Sequence, residues 1–216
     1  MQLQTPLILS IDTSADSCNV LISSKNNLLL SYSIKIKRLH DKLLAELTNR
    51  ALKDLNISIS NIGAVAISSG PGSFTGLRIG AAFAKALTID NSPKLISLPT
   101  LYAFAVEYET FAKKMNSKSI TAIISANSGM IYKQIFNLNS EPQSQIEFIN
   151  KDSLQLTNDT FLCGNFTYLN ENFQTNHFNK LTPESIAESA YRLFLNDKFI
   201  NSIDFEPLYI QDFVPR

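Results

Sequence analysis

Tryptophan is absent from this 216-residue chain, cysteine and histidine occur twice each, and glycine only seven times. His40 and His177 lie far apart, so no HxxxH or HExxH pair sets two imidazoles on one helix face, and a metallopeptidase of that kind is excluded. Cys18 and Cys163 each sit alone in strand-like surroundings. They read as two buried thiols of a reducing compartment, not as a disulfide or a metal pair. No GxSxG elbow is present and neither cysteine has a plausible histidine partner, which removes the serine and cysteine hydrolases. Basic and acidic residues balance at 19 each. The chain therefore has no global pull on nucleic acid or anionic membrane, and an RNA substrate would need another molecule for most of its grip. The opening MQLQTPLILS lacks the pattern of a signal peptide and no apolar run is long enough for a bilayer, so the expectation is a cytoplasmic protein that contacts no membrane.

Apolar residues make up 44% of the chain and charged residues 18%, an ordinary globular balance, and the length suits one large domain or two small ones. Apolar runs at Leu7–Asp12, Cys18–Ile22 and Leu28–Ile36, split by short polar turns, predict three antiparallel strands. Leu39, Leu43, Leu47 and Ala51 then recur at helical spacing, with Leu44, Leu52 and Leu55 beside them, which predicts a helix over 39–55. A buried strand at Ala64–Ser68, a helix at Phe74–Ile89, a strand at Leu95–Leu98 and a helix from Thr100 to about Met115 follow.

The order βββαβαβα matches the RNase-H-like core that actin-like proteins carry twice, an analogy of element order. The second half starts as the first did. Ile120–Ala126 and Met130–Leu138 flank Asn127-Ser128-Gly129, a hairpin signal. Strands near Ile146–Ile149 and at Thr160–Cys163, a helix over Pro183–Asn196 and an extended stretch over Phe205–Val214 complete it. The fold expected is α/β, a duplicated RNase-H-like core: a first domain over 1–98, and a reduced second copy over 99–216 whose last helix is free to pack back on the first.

Four of the seven glycines fall between Gly70 and Gly80, in Gly70-Pro71-Gly72-Ser73-Phe74-Thr75-Gly76-Leu77-Arg78-Ile79-Gly80. Between a buried strand and a helix, such a loop permits a tight turn. Free amides at the helix start favour an anion, and Arg78 would add donors to a phosphate, so Gly70, Gly72, Ser73 and Arg78 are candidates for nucleotide contact. The spacing is neither a P-loop nor a dinucleotide fingerprint. A tight turn with close helix packing is the preferred explanation of the glycines. Gly76, Gly80 and Ala84 recur every four residues and make one helix face nearly flat, suited either to internal packing or to a partner.

Asp12 ends the first strand, where actin-like phosphotransferases hold an aspartate near the metal and phosphates of the nucleotide. The turn that follows there carries glycine. Here Thr13-Ser14-Ala15 has none, so a Cβ at each position crowds a phosphate, and an aspartate capping its own turn is the better reading.

Ile8-Leu9-Ser10-Ile11-Asp12-Thr13-Ser14, His40-Asp41-Lys42-Leu43-Leu44, and the Gly70–Gly80 block with Ala84-Lys85 resemble the TsaB (YeaZ) family of the actin-like superfamily. The resemblance implies a non-catalytic subunit in the synthesis of N6-threonylcarbamoyladenosine, next to the anticodon of tRNA. It implies a TsaD-like paralogue as the catalytic partner that holds ATP and metal, a TsaE-like ATPase as a further subunit, and no cofactor of this chain's own. TsaC supplies threonylcarbamoyl-adenylate to such a set. The resemblance also implies a helical interface usable for TsaD or for a homodimer, with tRNA met only through the complex. Mapped here, that interface comprises His40, Leu43, Leu47, Phe74, Gly76, Arg78, Gly80, Ala84 and Lys85. Ser125-Ala126-Asn127-Ser128-Gly129-Met130 departs from the family's charged Asp-Ala-Arg-x-Gly-Glu hairpin. The alternative is a stand-alone actin-like phosphotransferase, against which the glycine-free turn counts. A peptidase of the same superfamily would lack both metal ligands and a nucleophile.

Overall fold

The computed structural model describes residues 6–25, 27–35, 40–90, 92–157, 159–166 and 178–208, with the backbone alone at His40 and Asp41. Two compact units emerge, one formed by Met1–Thr100 with Ile186–Tyr209, the other by Leu101–Ser185 with Ile210–Arg216. The dividing point thus falls after Thr100, close to the boundary read from sequence, but the stretch from Ile186 belongs to the first unit.

In the first unit, β1 (Leu7–Asp12), β2 (Ser17–Ser24) and β3 (Asn27–Lys35) form an antiparallel meander. Helix α1 (His40–Asp54) leads to β4 (Ile62–Gly70), which lies parallel to β1. Helix α2 (Phe74–Leu87) leads to β5 (Lys94–Pro99), parallel to β4. β1 and β4 are central strands, and their sequences LILSID and IGAVAISSG are buried almost throughout, as strands covered on both faces must be. β3, at the sheet edge, alternates between exposed and half-buried positions instead. Leu44, Leu47 and Ala51 of α1 and Ala81 and Ala84 of α2 pack on Leu9, Ile11, Val20, Ile22, Val65 and Ile67 to form the core.

The second unit begins with α3 (Thr100–Lys114) and repeats the pattern. β6 (Ser119–Ser125), β7 (Met130–Phe136) and β8 (Glu147–Asn150) form an antiparallel meander, and β9 (Thr160–Cys163) lies parallel to β6. The sheet order β8-β7-β6-β9 reproduces the order β3-β2-β1-β4 of the first sheet. This is the duplicated RNase-H-like architecture expected from the sequence. Where α1 links β3 to β4, the described residues of the second copy between β8 and β9 form only the short 3₁₀ turn Lys151–Ser153. Its core sets Leu101, Phe104, Ala105, Tyr108 and Ala112 of α3 against Ile120, Ala122, Ile124, Phe136 and Phe161.

Helix α4 (Pro183–Leu195) opens with Thr182 as a cap, its hydroxyl accepting from the Ser185 amide at 3.2 Å, and with Pro183 at the first helical position. The two-residue strand β10 (Phe199–Ile200) then pairs antiparallel with Ile96 and Leu95 of β5, closing that edge of the first sheet. Sequence patterning does not register a strand so short. Of the extended stretch expected over Phe205–Val214, residues 205–208 carry no regular structure and 209–214 lie outside the described residues, as does His177.

Candidate functional site

Parallel pairing of β1 with β4 brings the ends of both strands side by side, and the turns that leave them meet. The Ser73 amide donates to the Ser14 carbonyl oxygen at 2.7 Å. The Thr13 amide donates to Ser68 Oγ at 3.2 Å, and the Thr13 hydroxyl donates to the Gly76 carbonyl oxygen at 2.8 Å. Ser73 caps α2, its Oγ accepting from the Gly76 amide at 3.3 Å. Asp12 is buried and turned onto its own turn, Oδ1 accepting from the Ser14 amide at 3.0 Å and Oδ2 from Asn19 Nδ2 at 3.2 Å. It acts as the turn cap read from the sequence.

Glycine is required where this turn and α2 approach. A Cβ at position 72 would lie 2.5 Å from the Ser14 carbonyl oxygen and 2.8 Å from Ser14 Cβ. At position 76 it would overlap the Thr13 carbonyl oxygen, and at position 80 the Thr13 hydroxyl and Ile67. Gly70 has φ +96°, a left-handed conformation open to glycine at little cost, with Leu77 Cδ1 and Leu208 nearby.

These contacts correct two expectations. Gly76, Gly80 and Ala84 do not form an open flat face, because all three are buried against the chain itself. Spacing shows that they share a face; it does not show that Thr13 occupies it. Nor does the Gly70–Ser73 loop form an open anion cradle. Gly72 is closed down on Ser14, the Ser73 amide is spent on a carbonyl, and Ser73 Oγ already serves the helix start. Arg78 is exposed and stacks its guanidinium over the Phe74 ring, 5.4 Å from the centroid.

The solvent side of α2 is different. Phe74 is 39% exposed, and Arg78, Ala82 and Ala86 follow at four-residue intervals, all exposed. They make a stripe with a single charge, opposite the buried glycines. Ala82 and Ala86 were missed in the sequence, although a helical wheel through Phe74 and Arg78 passes over both. Lys85 is half-buried and donates from Nζ to the Ile203 carbonyl oxygen at 3.2 Å. On α1, Leu47 belongs to the core and Leu43 packs partly against it, so Leu47 is not surface. The exposed positions of α1 include Lys42, Glu46, Asn49 and Arg50, which are polar. Arg50 lies over the Tyr32 ring at 5.4 Å, and the Tyr32 hydroxyl donates to Asp54. The side chain of His40 lies outside the described residues.

Both thiols are buried. Burial, aided by the charge of Asp12, pushes Cys18 up to about 11, and burial raises Cys163 as well. A thiol held protonated is a poor nucleophile. Among the described residues no helix is long and apolar enough to cross a membrane.

Comparison with known proteins adds to this geometry. Residues 33–146 match the family model described as "TsaD: tRNA N6-adenosine threonylcarbamoyltransferase". The protein named "tRNA threonylcarbamoyladenosine biosynthesis protein TsaB" of Buchnera aphidicola subsp. Schizaphis graminum is 30% identical over 126 residues, 58% of either chain. Its namesake from Escherichia coli K12 is 29% identical over 125 residues, 58% of this chain and 52% of that one. The match thus spans little more than half the length of these curated relatives. The solved structure of YeaZ from Pseudomonas aeruginosa superposes with a TM-score of 0.78 at 20% identity, over 95% of this chain and all of the other, which shows a shared fold. The resemblance to TsaB drawn from the glycine block agrees with these relatives. Because the family model spans more than half of its residues, the chain belongs to the TsaD, or tRNA N6-adenosine threonylcarbamoyltransferase, family.

Proposed function

We propose that this chain is an accessory subunit, of the kind its TsaB-named relatives represent, in the synthesis of N6-threonylcarbamoyladenosine on tRNA. In this reading it works in the cytoplasm, leaves the chemistry to a TsaD-like catalytic partner, and holds that partner through the exposed side of α2. A TsaE-like ATPase completes the set, and the same surface serves a homodimer when the partner is absent. ATP and metal belong to the partner subunit.

The observation that carries the reading is the closure of the Gly70–Ser73 loop on the Thr13-Ser14 turn. The Ser73 amide, which at an open helix start would be free for phosphate, donates to the Ser14 carbonyl at 2.7 Å. A carbonyl oxygen in that place repels phosphate. The face of α2 that remains exposed, Phe74, Arg78, Ala82 and Ala86, is weakly charged, and aromatic and arginine side chains are favoured at the centre of protein interfaces.

Reconstitution tests the proposal. The purified chain alone is expected to hydrolyse no ATP, and adding it to the cognate TsaD-like subunit, the TsaE-like ATPase, threonylcarbamoyl-adenylate and tRNA should start transfer to adenosine. Turnover by the chain alone, or tight Mg-ATP binding to it in calorimetry, would overturn the reading in favour of a stand-alone phosphotransferase.

A further inference from the structure

We infer that Thr13 is a positioning residue: the turn after β1 has become a clamp that fixes the first turns of α2 and so sets the aim of the exposed Phe74–Arg78 surface. The inference rests on the proposed partner role of α2. Three contacts from one residue carry it. The Thr13 amide is held by Ser68 Oγ at the end of β4, which anchors the turn to the sheet. Its hydroxyl donates to the Gly76 carbonyl oxygen. Its own carbonyl sits where a side chain at position 76 would be. Next to it, Ser14 takes the Ser73 amide, so the clamp grips both the cap and the first turn of the helix.

Phe74 and Arg78 flank Gly76 by two residues on either side, on the solvent face of the same turns. The Thr13 hydroxyl ties the helix start to the turn through Gly76, and losing it loosens the whole contact, including the Ser14 carbonyl that accepts from the Ser73 amide. The first amides of a helix have no intrahelical acceptor, so the start then frays. A partner meeting a frayed turn must order it on binding, which weakens affinity without removing a contact. The clamp therefore contributes preorganisation.

Thr13→Val keeps the branched shape and removes the hydroxyl. It is expected to weaken binding of the cognate TsaD-like subunit about fivefold, the effect of one net hydrogen bond, and Thr13→Ser should restore most of it. Ile120→Val, a core truncation in the other unit, serves as a control that lowers stability without touching α2. Hydrogen exchange on the chain alone gives a measurement free of the partner, and the Gly76–Gly80 amides should exchange faster in Thr13→Val than in the wild type. Unchanged exchange there overturns the clamp. Equal loss of affinity in Ile120→Val and Thr13→Val, or full affinity in Thr13→Val, overturns the aiming role. A wild-type chain that fails to bind the TsaD-like subunit, while the exchange difference persists, sinks the proposed function and the aiming role but leaves the clamp standing.

Discussion

Replacing Gly76 with alanine separates two effects of opposite sign. Alanine is the better helix former, by up to about 1 kcal/mol in a helix interior. If Gly76 lay on an open face, the variant would gain stability. Here the added Cβ overlaps the Thr13 carbonyl oxygen and lies 3.2 Å from its carbon. The obstacle is backbone, itself anchored through the Thr13 amide to Ser68, so it cannot swing aside as a long side chain would. Overpacking of this type costs about 1–3 kcal/mol. Because the overlap is with anchored backbone the upper part of that range applies, about 2–3 kcal/mol, and subtracting a propensity gain of about 1 kcal/mol leaves a net loss of about 1–2 kcal/mol. Urea titration followed by circular dichroism reads this as a lower midpoint at unchanged slope. Ala82→Gly, on the exposed side of the same helix, calibrates propensity alone and should lose about 1 kcal/mol. A Gly76→Ala protein as stable as the wild type or more so would refute the close packing of α2 on the turn after β1.

Three other outcomes are expected. Arg78→Glu should leave the unfolding free energy from urea titration within about 0.5 kcal/mol of wild type, and Phe74→Ala should leave the chain folded, while pull-down of the TsaD-like subunit fails in both; normal pull-down would clear this surface of the role. Thr182→Ala removes the cap of α4 and the hydroxyl that donates to Glu107 at 2.6 Å, and should lower stability by about 1 kcal/mol in thermal unfolding. Cys18 has a folded-state value raised from 9.0 to about 11, so its contribution to stability is whole below the unfolded value and fades as pH rises from 9.0 towards 11. Accordingly, a thiol reagent near pH 8 should label neither Cys18 nor Cys163 until urea unfolds the chain, and early labelling would contradict their burial.

Strand and helix placement was legible because this sheet is built from local apolar runs. Leu7–Asp12 and Thr160–Cys163 end where the sequence says they do. Partners across the fold were less legible. The four-residue spacing of Gly76, Gly80 and Ala84 announces a close approach but is silent on what approaches, because Thr13 is 63 residues away along the chain from Gly76. Leu47 has the same ambiguity, since a leucine stripe reads alike whether it faces a core or a partner. Strand β10 escaped because two residues carry no period, and the pairing of Phe199 and Ile200 with β5 is decided entirely by the sheet edge.

The repeat shows that the close approach of loop and strand end belongs to the topology. In both units the loop after the parallel strand returns to the end of the first strand. In the second unit Gly164, at φ +117°, lies so close to Ile123 that a Cβ would overlap its carbonyl, and the Ser125 amide donates to the Asn165 carbonyl at 2.8 Å. That approach is set by topology, because parallel neighbours end side by side. The sequence after the glycine decides what the approach accomplishes. In the first unit Gly72-Ser73 opens α2 directly and places a helix carbonyl within reach of Thr13. In the first copy a capping serine and a small-residue helix face follow that loop, and these let the turn after β1 close on α2.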